Sequence, residues 1–404
     1  MTSPATRTRT QVGIVGAGPA GLLLSRLLAL RGIDSVVVEA RSRAYCEARQ
    51  RAGLLEDGTV RLLRAAGLAG RLDREGLEHG GIYLQFDGER HHIDFRDLAE
   101  GRTVTVYAQT EIVKDLIAER TAAGAALHFE VAGTEVADLD TDRPLLRYTD
   151  SGGVAHEVEC DVIAGCDGFH GICRPAVPDG VLSTVERAYP FAWLGILADV
   201  PPSTDELIYC RHDNGFALHS MRTPEVSRIY LQVPADEDID NWPDDRIWAE
   251  MQRRFAVPGW ELKEGSITEK SITPMRSFVA APMRYGRLFL AGDAAHIVPP
   301  TGAKGLNLAL ADVAVLTDAL AALVLDRDHA LADDYSRACL NRVWRATHFS
   351  WWMTSMLHIA PDADAMEAQL QLSQLRYVAA SRAAATTLAE NYVGYPPLRC
   401  GTLG

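Results

Sequence analysis

A glycine triplet near the start of the chain narrows what it can fold into before anything else does. Gly16-x-Gly18-x-x-Gly21 lies between an apolar, strand-like run, Gln11 to Val15, and a Leu-rich helical pattern, Pro19 to Arg31. A β-branched second strand, Asp34 to Val38, follows and is closed by Glu39. The pattern predicts a βαβ unit in which the glycines let the backbone turn tightly and approach a pyrophosphate. The helix N-terminus would offer unpaired N–H donors and a positive dipole end, and Glu39 would accept hydrogen bonds from ribose hydroxyls. A lone glycine-rich turn does no more than reverse a chain. With strand, helix and acidic residue all present the pattern favours an adenine dinucleotide, without choosing between FAD and NAD.

Two later strands end on similar turns. Val158 to Ala164 leads into Gly165-Cys166-Asp167-Gly168, and Gly286 to Leu290 leads into Ala291-Gly292-Asp293. Between them, Tyr189 to Val233 is rich in aromatic and β-branched residues and alternates in places, as in Ser227 to Val233, which predicts an antiparallel sheet in a separate lobe. From Asn307 onward the pattern is helical, through Leu308 to Leu325 and Arg342 to Leu357, and the residues after Pro396 read as a loose tail. The expected fold class is α/β: a Rossmann-like dinucleotide domain interrupted by an inserted, mainly antiparallel β-sheet domain, with a helical C-terminal region.

Composition bounds the partners. A chain of 404 residues with 47% hydrophobic and 23% charged residues is long enough for two or three domains with a large core. Its net charge of -14 opposes the phosphate neutralisation a general nucleic-acid binder needs, and points instead to small molecules. Seven scattered cysteines, Cys46, Cys160, Cys166, Cys173, Cys210, Cys339 and Cys400, show no paired spacing and read as reduced thiols of a cytoplasmic protein. Met1 to Thr10 has no apolar signal core, and Leu22 to Leu30 carries Arg26 and is too short to span a bilayer; no stretch is expected to reach that length, so no membrane partner is expected.

The two later turns also carry a family resemblance. Cys166-Asp167-Gly168 resembles the DG motif, and Leu290-Ala291-Gly292-Asp293-Ala294-Ala295-His296 the GD motif, of the class A flavoprotein aromatic hydroxylases, in the family's order. Singly, each is only an Asp-Gly turn. Longer stretches resemble the branch that acts on 4-hydroxybenzoate: Arg51 to Glu56, Thr103 to Thr110, Ile163 to Ile172, Tyr189 to Asp199, Leu288 to Asn307, Ser350 to Ser355 and Glu390 to Gly394. The likeness runs from about Val12 to about Pro396.

The resemblance implies an FAD-binding domain over 1–183 with the βαβ unit and DG motif, a substrate-binding β-sheet domain over 184–276, and a 277–404 region whose GD motif completes the FAD site. It implies hydroxylation of 4-hydroxybenzoate ortho to its phenol, giving 3,4-dihydroxybenzoate, with O2 and NADH or NADPH, through a flavin C4a-hydroperoxide in a cytoplasmic homodimer. Arg222 would hold the substrate carboxylate with its planar fork, helped by Ser220 and Tyr230. Tyr209 would bond the phenol, Tyr392 would be the next hydroxyl of a proton relay, and His79 would stand at the relay's solvent end. Pro300 and Thr301 would supply backbone groups at the reacting edge, with Lys304, Gly305, Leu306 and Asn307 beside the flavin ring. Gly16, Gly18, Gly21, Glu39, Arg49, Arg51, Gln109, Asp167 and Asp293 would complete the FAD site, and His170 and Arg276 would meet the nicotinamide cofactor. Without the resemblance, Arg222 is a surface arginine on a strand, the two tyrosines pack at a domain edge, His79 is a surface histidine and Asn307 an ordinary helix start.

Some positions depart from the family. Ala40 stands where NADPH-preferring relatives have arginine; Arg41 and Arg43 could capture a 2′-phosphate while Glu47 opposes it, so the balance leans to NADH or dual use. Leu54, His219 and Met221 differ around the substrate, and a substituted 4-hydroxybenzoate such as protocatechuate stays open, as does a non-hydroxylating FAD-binding protein.

Overall fold

The computed structural model describes residues 5–49 and 53–394. Its first sheet is built around Thr6–Val15, which runs parallel to Ala155–Gly165 on one side and to Ser35–Val38 on the other. Leu288–Leu290 continues the parallel set beyond Ala155–Gly165. The ends of these strands are buried on both faces, Val12, Ile14, Val162 and Ile163 being wholly enclosed, which is why they read as continuous apolar runs. Register brings Val15 beside Gly165 and Gly165 beside Leu290. The backbone carries the alignment on, with Cys166 N–H donating to Val15 O and Ala291 N–H to Gly165 O. All three glycine and aspartate turns therefore leave the sheet side by side at its carboxyl edge, where open α/β sheets bind ligands.

The second sheet is an eight-stranded, mainly antiparallel layer in the order His296–Ile297, Ser266–Ala281, Ser183–Asp199, Ser227–Pro234, Ala217–Met221, Leu207–Cys210, Gly81–Phe86, Glu89–Asp94. The hairpin Gly81 to Asp94 joins from within the first 183 residues, and Ser266–Ala281 carries the sheet past residue 276. Alternation divides its faces. Ile208, Cys210, Ala217 and Ile229 pack with Trp248 and Met251 of the helix Asp244–Arg254, whereas Tyr209, Phe216 and Leu218 share a cluster with Phe349, Met353 and Tyr392 of the C-terminal helices. A small three-stranded sheet, Leu54–Glu56, Val104–Val106 and Leu77–His79, also belongs to the fold.

The helix Gly305–Ala321 packs against both Pro19–Leu30 and the long helix Ala330–Leu357. It corrects the expectation that no stretch reaches the length of a membrane span. Residues Gly305–Asp326 form 22 helical positions whose most apolar 18-residue window has a mean hydropathy of 2.1 and is 78% buried inside the fold. A helix enclosed by neighbours is apolar all round for the same reason as one enclosed by lipid. Cys46, Cys160, Cys166, Cys173, Cys210 and Cys339 are free thiols. Arg51, Cys400 and the tail after Pro396 lie outside the described residues.

Candidate active site

The fingerprint glycines answer to two different demands. Gly16 has φ +105, and a Cβ there would come 2.4 Å from Cys166 O; one on Gly21 would come 2.0 Å from Gly16 O. Those two are required by the chain's own packing. Gly18 has ordinary extended dihedrals, φ -77 and ψ 179, and an added Cβ would meet nothing within 4 Å. Among the described residues no atom accounts for its lack of a side chain, and a ligand group lying close over the helix start would. Pro19 opens that helix and no side chain caps it, so its first N–H groups face the same space. Glu39 braces the turn: one carboxylate oxygen accepts from Ala17 N–H at 2.8 Å, the other from Arg41 N–H at 2.8 Å.

Asp167 accepts from Cys173 N–H at 2.8 Å through one oxygen, while the other is buried without a hydrogen-bond partner among the described residues, and burial pushes its carboxyl upward. A Cβ on Gly171 would sit 2.1 Å from this carboxyl, so glycine is needed there. Asp293 is exposed on the short turn Gly292–Ala294. Behind it Asp312, wholly inside, accepts from Gly292 N–H at 3.0 Å and bonds His296 Nε2 at 2.6 Å. Gln109 is the half-buried first residue of the helix Gln109–Ala122, and Arg49 is exposed just past Arg43–Ala48. The open cradle at Gly18 and the unpartnered oxygen of Asp167 fit a pyrophosphate and a hydroxyl-bearing chain, which are what FAD offers.

Lys304 and Asn307 turn inward. Lys304 Nζ donates to Glu56 Oε1 at 2.6 Å and to Tyr392 O at 3.0 Å; burial lowers its pKa and Glu56 opposes that shift. The Asn307 amide makes four bonds: it accepts from Glu56 N–H and Thr59 Oγ1 and donates to Leu54 O and Ala303 O. These two side chains clamp the strand Leu54–Glu56 to the start of Gly305–Ala321. What that start presents outward is its uncapped backbone at half-buried Gly305 and Leu306.

The second sheet assembles the other expected residues. Tyr209 pairs with Leu218, Leu218 with Tyr230, and Tyr230 with Gly195, so these side chains share one face, and Ser220 and Arg228 lie two residues further along it. The Tyr209 and Tyr392 hydroxyls lie 2.7 Å apart, both buried, and burial pushes both phenols upward so that they stay protonated. Tyr230 is half-buried against Trp193, with ring centroids 4.7 Å apart. Ser220 Oγ donates to Arg228 O at 2.9 Å. Half-buried Arg222 follows the strand Ala217–Met221, and its Nη2 donates to Thr110 Oγ1 at 3.1 Å; burial first, then Arg228, lowers its pKa. Thr301 is fully buried and accepts from Thr354 Oγ1 at 2.9 Å, next to half-buried Pro300.

His79 differs from its expected solvent position. It is 3% exposed, neither ring nitrogen has a hydrogen-bond partner among the described residues, and burial lowers its pKa, so it is neutral. His170 and Arg276 are brought together by a residue that sequence reasoning passed over: His170 packs edge-on to Phe169 at 4.9 Å, and the Arg276 guanidinium lies 4.9 Å from the same ring. Its signal was its seat directly after Asp167-Gly168. Glu56, Thr110, Asp312 and His358 were missed as well. His358 accepts from Trp193 Nε1 at 2.7 Å, donates to Thr354 O at 3.1 Å, and is driven by burial to about 3.

A family model described as an FAD binding domain matches residues 9–350. The p-hydroxybenzoate hydroxylase of Acinetobacter baylyi is 48% identical over 389 residues, 96% of this chain and 96% of that one. A 3-(3-hydroxy-phenyl)propionate/3-hydroxycinnamic acid hydroxylase of Burkholderia vietnamiensis is 29% identical over 80% of this chain and 58% of its own length. In structure, the p-nitrophenol 4-monooxygenase of Pseudomonas putida superposes with a TM-score of 0.81 over 97% of this chain and all of its own, at 17% identity, a likeness of fold.

Proposed function

The chain belongs to the FAD-binding family of class A flavoprotein aromatic hydroxylases, and from that membership we propose that it hydroxylates 4-hydroxybenzoate ortho to its phenol, giving 3,4-dihydroxybenzoate. The observation that carries this reading is a face with two chemically different ends. A buried pair of phenolic hydroxyls, Tyr209 and Tyr392, stands at one end, and the Arg222 guanidinium at the other. Leu218, the cross-strand partner of Tyr209, precedes Arg222 by four residues, roughly 13 Å of strand at about 3.3 Å per residue. Two long side chains and one benzoate between them fill such a span.

On this reading Arg222, with Tyr230 and Ser220, binds the carboxylate and fixes the ring's direction. Tyr209, held protonated by burial, donates to the phenol oxygen and favours its ionised form; Tyr392 is the next oxygen along which that proton leaves. Ionisation raises electron density at the ring carbon ortho to the oxygen. The Pro300-Thr301 backbone, fixed by Thr354, borders that edge, and the packed aromatic face keeps water away. FAD, when bound at the fingerprint and reduced by NADH or NADPH, would activate O2, one oxygen atom of which enters the ring while the other leaves as water. Arg43 Nε is engaged by Glu47 at 2.7 Å, which supports use of NADH or of both cofactors over strict NADPH dependence. The resemblance supports a homodimer, and the six free thiols among the described residues support a cytoplasmic setting.

The deciding experiment is aerobic oxidation of NADH and of NADPH by the purified yellow protein, with and without 4-hydroxybenzoate or protocatechuate, and chromatography of the products. The expected result is one 3,4-dihydroxybenzoate per reduced cofactor. Cofactor consumption that yields only hydrogen peroxide with every aromatic acid overturns the reading.

A further inference from the structure

The Arg222 guanidinium crosses from the substrate sheet to touch a residue of the other domain. Thr110 is 5% exposed and occupies the first turn of the helix Gln109–Ala122, one position after Gln109. A threonine there would ordinarily be read as a helix-start residue, but no side chain caps this helix and its N-cap position is Ala108. The hydroxyl is used otherwise. It donates to Glu111 Oε1 at 3.3 Å, and a hydroxyl has one hydrogen, so its lone pairs are turned to Arg222 Nη2 at 3.1 Å. Glu111 is in turn balanced by Arg71 and by Lys114 Nζ at 2.8 Å.

We propose that Thr110 is a positioning residue for substrate recognition, its hydroxyl setting the plane of the Arg222 guanidinium against the helix that begins at Gln109. The proposal rests on the reading of Arg222 as the carboxylate anchor. A planar fork gains its second hydrogen bond to a carboxylate only when its plane is right, and a hydrogen bond from one of its nitrogens to a fixed acceptor helps to set that plane. A neutral acceptor suits this task better than a carboxylate in the same place would, because a carboxylate would neutralise the guanidinium and compete with the incoming acid. Here the acidic group, Glu111, is one hydroxyl further away and is already balanced by two cations. Because Arg222 follows a strand of the second sheet and Thr110 lies in a helix outside that sheet, the contact also makes the carboxylate end of the site depend on how helix and sheet sit together.

The test uses the FAD-loaded enzyme and its Thr110→Val and Thr110→Ser variants, with binding followed by the flavin absorbance change. Two ligands are compared in each: 4-hydroxybenzoate and the neutral 4-hydroxybenzamide. Valine keeps the shape and removes the acceptor, so 4-hydroxybenzoate should bind about tenfold more weakly, as for loss of a hydrogen bond to a charged group, with the amide changed by less than about twofold. Serine should restore the carboxylate ligand to within about twofold of the parent. At saturating substrate, the single-turnover hydroxylation rate should stay near the parent's, so that the effect falls on binding. Equal weakening of both ligands would mean a general loosening of the fold and refutes the proposal, as does an unchanged affinity for 4-hydroxybenzoate. Should the valine variant not fold, Thr110→Ala gives the same within-protein comparison. A parent enzyme that binds neither ligand overturns the substrate reading itself, a result distinct from a bound acid that ignores Thr110.

Discussion

Replacing Tyr209 with phenylalanine deletes one hydroxyl from a pair 2.7 Å apart in the interior. In the ligand-free enzyme the loss leaves the Tyr392 hydroxyl without that partner, a cost of about 1–3 kcal/mol in folding stability. On the proposed reading the loss is larger in kind with substrate bound, because the deleted donor would face an oxygen that becomes negative. A hydrogen bond to an ionised group contributes about 1.5–3 kcal/mol, which at about 1.4 kcal/mol per factor of ten is a roughly 10- to 150-fold slower hydroxylation. The same energy raises the pKa of the bound phenol by about one to two units. Both quantities are accessible: stopped-flow absorbance separates flavin reduction from the oxygen half-reaction, and a pH titration of the bound aromatic's spectrum gives its ionisation. Hydroxylation should suffer and reduction should not. Equal losses in the two half-reactions, or a bound phenol that ionises as in the parent, would remove Tyr209 from the chemistry.

Gly18→Ala should fold normally, since its dihedrals suit alanine and no atom of the described residues lies within 4 Å of the new carbon, yet bind FAD at least about tenfold more weakly; parental FAD affinity in a fluorescence titration would refute the cradle. Arg222→Lys keeps the charge and loses the fork, and should weaken 4-hydroxybenzoate binding about tenfold or more, with an unchanged dissociation constant excluding Arg222 from the site. Burial lowers His219 to about 4 and His358 to about 3 from 6.5, so both are neutral in the fold and take a proton first in the unfolded chain. The stability this protects is complete above about pH 6.5 and is lost as pH falls toward those values, at up to about 1.4 kcal/mol per pH unit for each histidine. Urea midpoints from pH 7 to pH 4.5 should show a flatter acid limb in His358→Gln, and a limb as steep as the parent's contradicts the assignment.

What could be read from sequence was local. The fingerprint, its helix and Glu39 are contiguous, and the two later turns announce themselves by an apolar strand followed by glycine and aspartate. Long-range pairing was illegible. Nothing in Gly81 to Asp94 says that it will sit beside Leu207–Cys210, because a strand's pattern names its buried face and not its neighbour. Lys304 shows the same limit: its amine meets a carboxylate 248 residues earlier in the chain, so a residue expected beside the cofactor turns its side chain inward as a clamp. His79 was expected at the solvent edge because the resemblance set it at the outer end of the relay, and only the packed structure shows it enclosed. The helix Gly305–Asp326 reaches a span's length against expectation, and its apolar length serves packing against two other helices.

The strict alternation of the second sheet has a bearing on how such an enzyme can change its diet. Positions 209, 216 and 218 lie on the face proposed to hold the substrate, whereas 208, 210 and 217 pack into the cluster that includes the helix Asp244–Arg254. A saturation library across these strands should therefore come out striped, with altered ligand preference at one set of positions and mere loss of solubility at the residues between them. New aromatic acids would be reached by stepping two residues at a time.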